Sequence, residues 1–197
     1  LGELVQRVTG NTLAEEVRSR LLDPLQLGSS WYQGEEEPRA RGTKSYKLVS
    51  QPDGSVRAVP VNGRSEIMPF RSVVTAAGGA GSVAGTAIDA ARWMRAFAGG
   101  EIVSRATYRA MLADVASTAK LRAEIPYGLG IQALPLGKRP ALGHSGRFLG
   151  FRNVVRYLPV DGVTIAVLTN QGVADPSKVA ERLLDVFLPP PSPVTYP

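Results

Sequence analysis

A histidine, a serine and a glycine stand together at His144-Ser145-Gly146, and the histidine is the only one in the chain. An imidazole exchanges protons near neutral pH, a hydroxyl both donates and accepts hydrogen bonds, and glycine leaves the main chain open to a ligand. On one strand these groups supply a proton carrier, a hydrogen-bonding group and an approachable backbone, the parts that line the wall of an acyl-transfer site. The triplet follows Ala141-Leu142-Gly143 and precedes two strand-like runs ending at Leu168-Thr169-Asn170. A sheet must therefore position it.

Composition bounds what that sheet can belong to. With 197 residues, 44% hydrophobic and 20% charged, the chain is long enough for one globular domain with a real core. The net charge of +6 is scattered over residues such as Arg18, Arg20, Arg39, Arg41, Lys44 and Lys47. No basic run interleaved with aromatics occurs, so nucleic acid is not the expected partner. Cysteine is absent, which excludes thiol chemistry and disulfides, and a single histidine argues against zinc; neither a metal nor a cofactor is expected. The longest apolar run, near Val163 to Leu168, is far too short to span a bilayer, and no signal-peptide pattern stands at Leu1. A chain that opens on Leu1 and enters a helical pattern at once reads as a fragment.

Five stretches follow from periodicity and punctuation. Residues 1–33 read as two short helices: Leu1, Leu4, Val5 and Val8 recur at helical spacing, and Thr12 with Glu15 forms a capping box ahead of Leu13, Val17 and Leu21. Residues 34–76 read as a long surface excursion, with a hairpin at Asp53-Gly54 and a further turn at Asn62-Gly63. Residues 77–125 read as helical, with Thr86 and Asp89 capping a helix that carries Ala90, Trp93, Met94 and Phe97 and closes at Gly99-Gly100; Ser104 caps another through Tyr108, Met111 and Leu112. Residues 126–188 read as an antiparallel sheet with strands at Tyr127 to Ile131, Phe151 to Leu158 and Val163 to Thr169. A closing helix opens at Asp175-Pro176 with Val179, Leu183, Leu184, Val186 and Phe187 on its apolar face, and residues 189–197 form a proline-rich tail.

Two further motif readings match the local sequence only in part, and the second, an α/β-hydrolase, stands as an alternative. The run Ala76 to Ser82 is glycine-rich but lacks the Lys-Ser/Thr ending of a phosphate loop and has no apolar strand before it. Gly143 to Arg147 nearly spells the GxSxG elbow of an α/β-hydrolase with Ser145 as nucleophile, but Arg147 replaces the last glycine and no later histidine exists.

The order of the pieces resembles the serine β-lactamase and penicillin-binding-protein-like superfamily, in its class C, D,D-carboxypeptidase and esterase branch. The resemblance rests on the helix Leu1 to Gly10, the segment Pro24-Leu25-Gln26-Leu27-Gly28, and the block Gly78, Gly79, Ser82, Asp89 and Trp93. It continues through YGLG at Tyr127 to Gly130, the HxG triplet, the pair Gly150-Phe151 and the strand end Thr169-Asn170. It implies an α+β, β-lactamase/transpeptidase-like fold, an antiparallel sheet flanked by helices and incomplete without an N-terminal segment. His144 then supports proton transfer or orients a second catalytic residue, Ser145 hydrogen-bonds substrate, and the amide of Arg147 serves as an oxyanion donor. Gly146 makes room for substrate to lie along the strand as an added β-partner, and Asn170 lines the cleft.

The same resemblance locates what is missing. Its nucleophile is the serine of Ser-x-x-Lys, with a lysine one turn away as base, followed later by Tyr-x-Asn. Ser117-Thr118-Ala119-Lys120 is the only match here, and it follows the glycine block where the pattern needs it to precede; Tyr-x-Asn is absent. Both elements are expected upstream of Leu1, carried by an N-terminal segment or reached through a second copy exchanging elements. The chain alone is then inactive, and the whole is a serine hydrolase acting on an ester, β-lactam or D-amino-acid amide, a small or peptidoglycan-like substrate met at the cell envelope or outside the cell. The competing class is a non-catalytic relative that binds such ligands.

Overall fold

The structure is a computed structural model that describes residues 1–61, 70–113 and 126–190; the Asn62-Gly63 turn, the Ser117 to Lys120 match and the tail from Pro191 lie outside them. Helix α1 (Gly2–Thr9) ends at Gly10, whose φ of 78° suits a residue without a side chain. The capping box of Thr12 and Glu15 forms and starts α2 (Leu13–Val17), which runs on as a π turn through Arg18–Leu22. Arg18 then grips Glu36 through Nε at 2.7 Å and Nη2 at 2.8 Å, fixing the chain that follows.

Strand β1 (Trp31–Tyr32) pairs with β4 (Val83–Ala84), and β2 (Tyr46–Ser50) with β3 (Val56–Pro60) around the expected Asp53-Gly54 turn. The excursion is thus less of a loop than the punctuation indicates, and its last part is helix α3 (Phe70–Ala77). Burial of Val74 and the bond from Ser82 Oγ to the Val74 carbonyl hold this helix, contacts that local sequence does not display. Helix α4 (Ala87–Gly99) is capped by the Thr86 hydroxyl, while Asp89 turns its carboxylate to the Ser29 amide and the Ser30 hydroxyl. Helix α5 (Arg105–Ala113) follows.

The second half is a four-stranded antiparallel sheet in the order β5 (Gln132–Ala133), β6 (Leu142–Phe148), β7 (Phe151–Leu158), β8 (Val163–Thr169). The strand expected at Tyr127 to Ile131 is instead a tight turn. Gly128 donates to Ile131, Gly130 has φ 78°, and a side chain at Gly128 would overlap the Met111 carbonyl. Alternation sorts the strand residues onto two faces. Val154 and Leu158 pack with Val163, Ile165 and Val167 against α6 (Pro176–Phe187), whereas Val155, Tyr157 and Leu142 pack against Met94 and Phe97 of α4. Full burial of Val154 and Leu158 stabilises the fold by about 1.5–3 kcal/mol each.

Helix α6 departs from its expected orientation. Pro176, Ala180 and Leu184 face the sheet, while Val179, Leu183, Val186 and Phe187 form a neighbouring exposed stripe. Ala180, wholly buried, sits at the centre of the face that α6 turns to the sheet.

Candidate active site

Strand β6 carries the triplet at its middle, not at a strand-to-helix elbow, and it turns directly into antiparallel β7 through Leu149 and Gly150 at φ 45° and 84°. That geometry removes the α/β-hydrolase reading of Ser145. Gly143 is fixed by packing, because a side chain there would overlap the Val155 carbonyl.

His144 and Ser145, being neighbours on a strand, point to opposite faces. His144 is exposed on the α4 side, where its Nε2 lies 2.8 Å from the Tyr127 hydroxyl and the two rings meet edge-on at 85°. Its Nδ1 lies 2.7 Å from the Ser145 carbonyl. A carbonyl only accepts, so Nδ1 carries the proton and Nε2 of the neutral ring accepts from Tyr127. Tyr127 is thus a site residue that spacing alone did not mark, since it stands 17 positions before His144 on a turn.

Ser145 is half-buried on the α6 side, and its hydroxyl accepts from Arg156 Nη2 at 2.8 Å. Arg156 is only 3% exposed, and the same Nη2 donates to Gln132 Oε1 at 2.9 Å. Burial lowers the Arg156 pKa to about 10, so the side chain remains a cation at neutral pH. Neither Arg156 nor Gln132 was marked in the sequence. An arginine in a β-rich run reads as a solvated position until the register places it beneath Ser145.

The amide of Ser145 donates to Gln132 Oε1 at 3.1 Å, away from β7. Antiparallel pairing alternates by two, so the Arg147 amide points to the same outer edge. Gly146 lies across from Asn153, and a Cβ on it would sit 2.7 Å from Asn153 Nδ2. The space that glycine leaves is therefore filled by a side chain of the protein itself. Ser145, Gly146 and Arg147 border a cleft of about 420 Å³ with Gln132, Arg152 and Pro176. Asn170 is not brought to the triplet: it stands beyond β8, two strands or about 10 Å from β6, and its amide donates to the Lys44 carbonyl at 2.9 Å, tying down the excursion. Among the described residues no group of three or more metal-ligating side chains occurs, and no helix is long and apolar enough to cross a membrane.

A strand whose His-Ser-Gly stretch runs on past the short β5, antiparallel neighbours and a helix on each face define a β-lactamase/transpeptidase-like fold. The model of the Beta-lactamase family matches residues 1–187, and the chain belongs to that family. Penicillin-binding protein 4 of Amycolatopsis lactamdurans is 29% identical over 218 residues, an alignment covering 98% of this chain and 53% of that protein. D-amino acid amidase from Ochrobactrum anthropi, solved with L-phenylalanine amide, superposes with a TM-score of 0.73 at 20% identity, over 93% of this chain and 53% of that one. A D-stereospecific amidohydrolase from Streptomyces sp. gives 0.69 at 21%, over 94% and 51%. The chain spans about half the length of these relatives.

Proposed function

We propose that this chain forms the third-motif wall of a serine hydrolase that works through an acyl-enzyme on an ester, a β-lactam or a D-amino-acid amide. The attacking serine of Ser-x-x-Lys and the Tyr-x-Asn element lie upstream of Leu1, and the chain alone is inactive. One observation carries this reading: among the described residues no base reaches the Ser145 hydroxyl. His144 is on the opposite face with Nδ1 tied to the Ser145 carbonyl, and Oγ is held by the cation of Arg156, which cannot take a proton. Ser145 is therefore a substrate-binding group, and the nucleophile comes from elsewhere.

In this mechanism His144 Nε2, already paired with Tyr127, receives or returns a proton during acylation. The Arg147 amide at the outer edge of β6 stabilises the developing oxyanion, a group whose loss costs about 10²–10³ in rate. Ser145 donates its hydroxyl proton to a substrate oxygen. The names of the amidase relatives favour a D-amino-acid amide among the three substrates. The exposed stripe Val179, Leu183, Val186 and Phe187 of α6 is the surface that an upstream segment, or an exchanged second copy, covers.

Labelling the complete native polypeptide with a fluorescent penicillin and a fluorophosphonate, then locating the modified serine by mass, tests the proposal. The expected site is a Ser-x-x-Lys serine upstream of Leu1. Labelling at Ser145 or Ser117 overturns it, and absence of any label favours a ligand-binding relative.

A further inference from the structure

Along the outer edge of β6 the protein uses up its own main-chain groups, residue by residue. Gly143 pairs with Gln132 of β5. At Ser145 the N–H donates to Gln132 Oε1 at 3.1 Å, and the carbonyl accepts from His144 Nδ1 at 2.7 Å. The plug is rigid: Gln132 is 8% exposed, and its Oε1 also receives Arg156 Nη2 at 2.9 Å, while the same nitrogen holds the Ser145 hydroxyl. Arg147 is the next outward residue, it is exposed, and β6 ends one residue later at Phe148.

We infer that substrate pairs with β6 at Arg147 alone, so that the site takes the amide or ester of a single amino acid and not an extended peptide strand. This rests on the serine-hydrolase reading above and narrows its substrate class. A ligand reaching from Arg147 to Ser145 needs two more residues, about 7 Å of strand. There it meets an amide and a carbonyl already bonded, and pairing with them means displacing Gln132 and the His144 ring. Pairing there leaves Gln132 Oε1 with Arg156 as its sole donor inside the sheet, which is unfavourable because a buried acceptor gives up a hydrogen bond it already has. The cleft beside this edge has a volume of about 420 Å³, near the low end of the roughly 300–1,000 Å³ of small-molecule sites.

Two measurements on the complete native polypeptide decide the matter. In amide hydrogen exchange, Ser145 is expected to exchange at least about tenfold more slowly than Arg147, and adding D-phenylalanine amide is expected to slow Arg147 while leaving Ser145 unchanged; these ratios follow from one hydrogen bond present or absent. Exchange of Ser145 as fast as Arg147, or slowing of both amides by an N-acyl tripeptide, overturns the inference without any assay of catalysis. In turnover, kcat/KM for D-phenylalanine amide is expected to exceed that for an N-acyl tripeptide by about tenfold or more. Gln132→Ala narrows that ratio, and Gln132→Glu, which keeps the acceptor, preserves it. Equal turnover of both substrates overturns the inference while leaving the serine hydrolase standing. Labelling of Ser145 itself removes the upstream-nucleophile reading, and the exchange arm still reports on the edge.

Discussion

On the α6 side of the sheet, Val154 and Leu158 are wholly buried and a cation, Arg156, is buried between them; on the α4 side, aromatic residues pack below while His144 stays exposed. The same three strands build both faces by alternation. Arg156 is tolerated because Gln132, Ser145 and the Val155 carbonyl receive its protons, and in return it fixes the direction of the Ser145 hydroxyl. His144 does no packing of comparable depth: it is exposed and held only by the Tyr127 hydroxyl and the Ser145 carbonyl, and in the proposed function it is the proton carrier.

Substitutions on the two faces should therefore separate activity from stability. The largest effect is expected for His144→Ala, which lowers kcat/KM of the complete protein by about 10²–10⁴ while its urea midpoint shifts by no more than about 0.5 kcal/mol equivalent. A matching loss of stability would break the contrast between the faces. Leu158→Ala on the other face is expected to cost about 2–5 kcal/mol in urea unfolding, with kcat unchanged in the fraction that remains folded. Gly143→Ala drives a methyl into the Val155 carbonyl and tests the ladder that both faces share, at about 1–3 kcal/mol; a neutral result would mean that β6 can leave β7 without cost. Tyr127→Phe removes the hydroxyl from His144 Nε2. It is expected to lower kcat/KM by about tenfold, with little change in thermal midpoint.

The smallest effect lies outside the sheet and serves as a control. The guanidinium of Arg18, hydrogen-bonded to Glu36, holds that carboxyl below its ordinary value of 4.5. A depressed carboxylate stabilises the fold above the unfolded value and loses that contribution as pH falls through the folded one. Urea midpoints of the native sequence should therefore drop more between about pH 5 and pH 3 than those of Glu36→Gln. Equal slopes would show that the pair adds nothing measurable.

Sequence patterns that depend on neighbours were legible. The Thr12-Glu15 box, the Thr86 cap and the Gly100 stop all formed where their chemistry pointed. Features decided by distant partners were not. The Tyr127 to Ile131 run has strand-like composition but turns, with Gly130 at φ 78° and the Leu129 amide bonded to the distant Met111 carbonyl. The face of α6 against the sheet includes Ala180, a residue too small to stand out in a hydrophobic pattern. Asn170 stands at the strand end that the family likeness marks, yet its amide serves the Lys44 carbonyl.

Residue order alone puts a lone histidine, a serine and a glycine together on a strand of an antiparallel sheet, in an order of blocks shared with the Beta-lactamase family. Spacing and capping signals are local, so they can be read before any fold is known. Which way each member faces, the pairing of Tyr127 with His144, and the hold of Gln132 and Arg156 on Ser145 came from packing between distant segments. Those partners lie 11 to 17 positions away along the chain. Strand register, which no local pattern fixes, is what brings them within a hydrogen bond.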